Sequence, residues 1–152
     1  MIDPYGLLKF AHVAAVIVWL GGSLALAAVM GALAKEENRA IPAAFLREAS
    51  FYGPIIMGPA SLVTLLTGLG MALITRQFGA LWVQIGFGGI LVHFVMGPGL
   101  IRAATLHLEH LLSGPSVELT SLNAARRRLR NLNLIYLVVL FAVVAAMVLK
   151  PG

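Results

Sequence analysis

Four apolar stretches, each long enough to cross a lipid bilayer, limit this chain more tightly than anything else in its sequence. They run from Tyr5 to Leu33, Phe51 to Thr75, Leu81 to Ile101 and Leu132 to Leu149. A hydrocarbon core about 30 Å thick is crossed by roughly 20 residues of helix at about 1.5 Å each. In lipid the backbone must satisfy its own hydrogen bonds, which a helix does within one segment. The chain is therefore predicted to be all-α, an integral membrane four-helix bundle forming a single domain over residues 1–152. With 60% hydrophobic and 11% charged residues, it leaves little for a domain outside the membrane. The first stretch follows Asp3 rather than a basic leader and lacks a small-residue cleavage site, so it reads as a retained helix.

The basic residues set the expected orientation. Lys35, Arg39 and Arg47 lie between the first and second stretches, and Arg102, Arg126, Arg127, Arg128 and Arg130 between the third and fourth. The other side carries only Lys9, Arg76 and Lys150. Lys and Arg accumulate on cytoplasmic connections, which predicts an inner-membrane protein with both termini on the outer side. The net charge of +5 comes largely from this cluster, so it points to membrane lipid and not to nucleic acid.

The connections differ in kind. Arg76 to Ala80 predicts a tight turn, making the second and third helices antiparallel neighbours. Lys35 to Ser50 predicts a short interfacial helix starting near Pro42. The third helix is expected to kink at Pro98 and to run on toward Leu112, with Leu108, Leu111 and Leu112 available to pack. Ser113-Gly114-Pro115 breaks it, and Val117 to Arg130 reads as a helix leading into the last span.

The polar chemistry within the spans is sparse. Cysteine is absent, which excludes disulfides, thiolate metal sites, iron–sulfur clusters and covalent c-type haem. No carboxylate lies in a span, against a proton-coupled transporter of the usual kind. No phosphate-binding loop, dinucleotide fingerprint or nucleophile elbow is present. What remains is His12 in the first span and His93 in the third. An imidazole in hydrocarbon costs free energy and marks a functional site by default. Two on different helices suggest one shared ligand, and neutral imidazole suits the iron of haem b. His12 lies roughly 10 Å and His93 roughly 18 Å from the outer side at helical rise. A single-histidine site with Met57, Met96 or water opposite is the variant that needs no matching depth.

Around these histidines, Trp19 shares a face with His12, and Gly86, Gly89 and Gly97 share one with His93. Trp19 with Gly86 and Gly89 would shape a cofactor pocket; the same glycines would equally serve close helix packing. Met57, Ser61, Thr64, Thr67 and Met71 form a stripe on the second helix, whose hydroxyls either bond back to their own carbonyls or hold a cofactor's propionates. Gln84 and Tyr136 are candidates for the bundle interior. His107 and His110 share a face outside the span, where a solvated surface outweighs a metal site.

The stretches LLKFAHVAAVIVWLGG, FGALWVQIGFGGILVHFVMG and RRRLRNLNLIYLVVLFAVVAAMVLKPG together resemble a group of small bacterial membrane proteins. The group includes HemJ-type protoporphyrinogen oxidases, the membrane domain of CopD-type copper-resistance proteins, and a related predicted integral membrane family, to which the likeness is closest. The resemblance implies a four-helix bundle in a bacterial membrane, with His12 at the position implicated in b-haem binding and His93 where a histidine also recurs. Gln84 stands where the HemJ-type pattern has a lysine, which departs from porphyrinogen oxidation. The leading expectation is a b-haem protein of redox chemistry or electron transfer, with His12 and His93 as axial ligands and a quinone or a redox protein as partner. A homo-oligomer is compatible with this expectation. The alternatives are a copper-handling or small-solute permease component and a structural subunit in which both histidines only hydrogen-bond.

Overall fold

The computed structural model describes residues 3–116 and 118–151. All regular structure among them is helical: α1 (Pro4–Leu33), α2 (Ala40–Thr75), α3 (Leu81–Val95), a π-helical turn (Met96–Ile101), α4 (Arg102–Ser113) and α5 (Leu119–Leu149). The helix from Leu81 runs through the π turn to Ser113, so four helices have the length and apolarity to span a membrane. Their large apolar side chains face outward, including Phe10, Ile17, Leu91, Val138 and Val148. Water would penalise that surface and hydrocarbon does not.

The helix ends follow local chemistry. Asp3 caps α1 by accepting from the amides of Tyr5 at 3.1 Å and Gly6 at 2.9 Å, with Pro4 in the first turn where no donor is needed. α2 ends on Arg76 in the left-handed region, φ 55°, and the Gln77 amide returns to the Ala72 carbonyl at 3.2 Å. This is the tight turn expected before Leu81. The predicted separate helix near Pro42 is instead the first turn of α2, which runs unbroken for 36 residues. Pro42 falls where its missing N–H costs nothing, and Pro54 and Pro59 are absorbed within the helix. The expected helix from Val117 begins at Leu119 among the described residues; Val117 lies outside them.

At Pro98 the helix changes register. The π turn carries it, and the Arg102 amide reaches the Gly97 carbonyl five residues back. The helix then continues into α4, where Leu108 and Leu112 are buried against Ala43 and Leu46 of α2 and Leu122, Ala125 and Leu129 of α5. This apolar core at the basic end joins three helices that extend past the roughly 20 residues a bilayer requires. Farther along, α1 pairs with α2, and α3 with α5. α2 and α3 are antiparallel across their turn but touch little, contrary to the expectation of neighbours, and a cavity lies between the Gly53–Ser61 part of α2 and the His93–Pro98 part of the third span.

Two stability predictions follow from these contacts. Leu108, 1% exposed, should cost about 2–5 kcal/mol as Leu108→Ala, a cavity-forming change, measured by reversible unfolding in detergent. Arg76→Gly should stabilise the protein by up to about 1 kcal/mol by removing the left-handed penalty, read in the same assay.

Candidate functional site

The two intramembrane histidines occupy different environments. His12 is half-buried between α1 and α2. Its Nδ1 lies 3.0 Å from the Thr64 carbonyl oxygen and 3.1 Å from Thr67 Oγ1. A carbonyl only accepts, so Nδ1 carries the proton and the neutral ring keeps its lone pair on Nε2. The Thr67 hydroxyl donates to the Val63 carbonyl at 2.6 Å, which frees its oxygen to accept from His12. Gly68 provides the clearance: a Cβ there would stand 3.2 Å from His12 Cε1. The hydroxyl stripe on α2 thus does what the back-bonding reading expected, with Thr64 donating to Ala60 and Ser61 to Gly58. It also offers His12 its partner.

His93 is buried on α3. Its Nδ1 lies 2.5 Å from the Tyr136 hydroxyl of α5, and that oxygen also accepts from Trp19 Nε1 of α1 at 2.8 Å. The Trp19 and His93 rings meet edge to face, with centroids 4.5 Å apart. Gly97 lies one turn on, where a Cβ would stand 3.3 Å from His93 Cε1. A hydroxyl both donates and accepts, so this bond admits two proton positions. With Tyr136 donating, His93 presents N–H at Nε2; with His93 donating, Nε2 presents a lone pair.

Neither Nε2 has a hydrogen-bond partner among the described residues, yet no solvent-inaccessible side-chain nitrogen or oxygen there is left unpaired. Both Nε2 atoms therefore keep accessible surface. His93 also lines a cavity of about 340 Å³ with mainly apolar walls, within the range of small-molecule sites. One wall is the stretch of α2 around Gly53, Pro54, Met57 and Gly58; the facing wall is the π turn at Gly97 and Pro98. Irregular backbone at membrane depth is tolerated where it borders a protein cavity.

This arrangement bears on three expectations. The two rings bond to different helices, His12 to α2 and His93 to α5. His93 sits on Trp19, seven residues beyond His12, or about 10 Å along α1 at helical rise. This separation along α1 favours separate roles for the two rings over one shared ligand. Gly86 and Gly89 do not form a pocket either, since Met147 and Val143 of α5 fill the space over them. That leaves close helix packing as their role. Gln84 is exposed, while Tyr136 is buried as expected. Outside the spans His107 and His110 are exposed, and the described residues hold no cluster of three or more metal-ligating side chains of the His, Cys, Asp or Glu type.

A family model described as a predicted integral membrane protein, DUF2269, matches residues 6–151. The chain belongs to this family. The match agrees with the third branch of the resemblance, the predicted integral membrane proteins, and does not extend to the HemJ-type or CopD-type branches. No curated protein and no solved structure matches the chain.

Replacing Tyr136 by Phe should be costly, because it strands the Trp19 indole N–H and His93 Nδ1 together. An orphaned buried polar group costs about 1–3 kcal/mol. A double-mutant cycle of Trp19→Phe with Tyr136→Phe should show positive coupling, the double variant losing less than the sum of the singles.

Proposed function

We propose that this protein is a membrane redox protein that holds haem b through His12 alone, with His93 serving a separate site for a lipid-soluble partner. The observation that carries the reading is the hydrogen bond from His12 Nδ1 to the Thr64 carbonyl. Metal-bound histidines characteristically donate their second ring N–H to such a carbonyl, which fixes the tautomer and raises the basicity of the ligating nitrogen. His12 has that arrangement before any metal arrives, and its Nε2 is accessible. His12 is the residue that would hold the haem, through Nε2. When bound, haem would supply a one-electron centre whose potential answers to ligand type and burial.

His93 then has a different task. The ring borders the apolar cavity, and the Tyr136 hydroxyl bonded to Nδ1 lets Nε2 offer either a donor or an acceptor. A quinone carbonyl would accept from Nε2–H, and a hydroquinone hydroxyl would donate to the Nε2 lone pair. The apolar walls suit a ligand that arrives from the bilayer. In this reading Trp19 holds the Tyr136 oxygen in place and its ring packs against the imidazole, so it positions the site from outside the cavity. In this reading the basic end of the bundle faces the cytoplasm, an orientation supported by the positive-inside rule.

Copper handling is the second reading, favoured by one observation: Met57 and His93 border the same cavity, and a thioether with an imidazole suits Cu(I). It predicts bound copper without a Soret band.

The deciding measurement is the absorbance spectrum of the detergent-purified protein, air-oxidised and then dithionite-reduced, for the wild type, His12→Ala and His93→Ala. The expected result is a Soret band that shifts on reduction, lost in His12→Ala and retained in His93→Ala. Equal loss in both variants would restore paired ligation. A colourless wild type after haem-supplemented expression would remove the haem reading, and metal analysis would then test copper.

A further inference from the structure

The arginines that give the chain its charge asymmetry also border a second cavity, of about 480 Å³, between the end of α1 and the first half of α5. Its lining changes character along its length. Asn123, Arg126, Arg127 and Arg130 line one end, and Leu134 and Leu137 the other. These α5 residues recur at three- and four-residue spacing, so they form one face of the helix. On α1 the facing residues include Ala27, Gly31 and Ala34, whose small size leaves the space open. Arg130 and Leu137 are separated by about 10 Å at helical rise, so a polar head and an apolar tail have distinct places.

The charge in this groove is uncompensated. No carboxylate lines it, and among the described residues the ion pair within reach is Arg47 with Glu48 at 3.5 Å, both well exposed and outside the groove. Arg126 is half-buried, which removes part of its hydration without supplying a partner. Arg128, in the same run, does not line the groove. Guanidinium groups pair with phosphate through parallel N–H donors. A soluble phosphate compound would engage the arginine end alone, whereas Leu134 and Leu137 lie in the fourth span, where an acyl chain is the natural neighbour. An amphiphile fills both ends.

We propose that this groove is a binding site for an anionic phospholipid, with Arg126, Arg127 and Arg130 around its phosphate and an acyl chain along Leu134 and Leu137. The site is independent of the haem reading, because it shares neither histidine. It also differs from ordinary lipid contact, in which arginines near a surface attract anionic headgroups collectively and without a defined seat.

The test uses the full chain in detergent, with phosphatidylglycerol, phosphatidylcholine of the same chains, and inorganic phosphate as probes, binding being read by native mass spectrometry. Phosphatidylglycerol should bind saturably at about one per chain and at least tenfold more tightly than phosphatidylcholine. Arg126→Gln, Arg127→Gln and Arg130→Gln should each weaken it by about fivefold, the contribution of one basic residue near a membrane surface. Arg128→Gln should leave it within about twofold. Equal binding of the two lipids by the wild type would overturn the proposal without recourse to any variant. So would an equal loss in Arg128→Gln, which would signal general charge attraction. Full displacement of the lipid by inorganic phosphate at matching concentration would make the groove a free-anion site instead.

Discussion

The hydroxyl of Tyr136 accepts the indole proton of Trp19 from α1 and shares a proton with His93 of α3, so three helices converge on one oxygen of α5. In water such bonds would be exchanged for solvent with little net gain. In hydrocarbon an unpaired donor has no substitute partner nearby, and the three groups hold each other because the alternatives are worse. The apolar residues around them, Ala60, Met96 and Leu140, close the cluster from the remaining sides. Because apolar side chains gain nothing by leaving lipid for protein, this polar node together with tight packing such as Gly89 against Val143 fixes how α1, α3 and α5 sit together.

The cavity beside that node has a backbone cause. Pro54 and Pro59 deprive α2 of two internal donors, and Pro98 deprives the third span of another. A straight helix does not accommodate a proline ring without yielding somewhere, and here the third span yields by widening into a π turn. The Gly53–Gly58 region and the Gly97–Pro98 turn then face each other across the void. α2 is held instead by α1 and by the apolar core it forms with α4 and α5. The irregular stretches of the two helices thus border one and the same void.

Much of this was legible in the sequence, and the remainder failed for one physical reason. Apolar length gave the four spans, the Arg76–Ala80 segment gave the turn, Pro98 gave the disturbance below His93, and Leu108 with Leu112 gave the packing beyond it. All of these are properties of a single helix. Periodicity states which residues share a face, but not which helix that face meets. Gly86 and Gly89 were therefore recognisable as a clearing whose occupant, Met147 and Val143, was not. His12 and His93 were recognisable as polar groups in need of partners, and the nearest reading paired them with each other. The signal for their true partners was present: Thr64 and Thr67 on the α2 stripe, and Tyr136 as a polar side chain inside the last span. Only the rotation of each helix about its axis decides between these matches, and in an apolar bundle that rotation leaves a weak trace in composition.

The partner at Nδ1 separates the chemistry of the two histidines. A backbone carbonyl cannot give up a proton, so the Thr64 oxygen holds His12 in one neutral tautomer and commits its Nε2 to being a lone pair. A phenol hydroxyl can donate or accept, so Tyr136 leaves His93 able to present either form. A fixed lone pair suits a permanent metal ligand, because binding then requires no proton rearrangement within the ring. An exchangeable one suits a group that meets a ligand in two protonation states. Either ring can present a lone pair at Nε2, but only His12 is held in that form by its partner. The asymmetry of their partners, together with their separation along α1, is why the two histidines are better assigned to two tasks than to one.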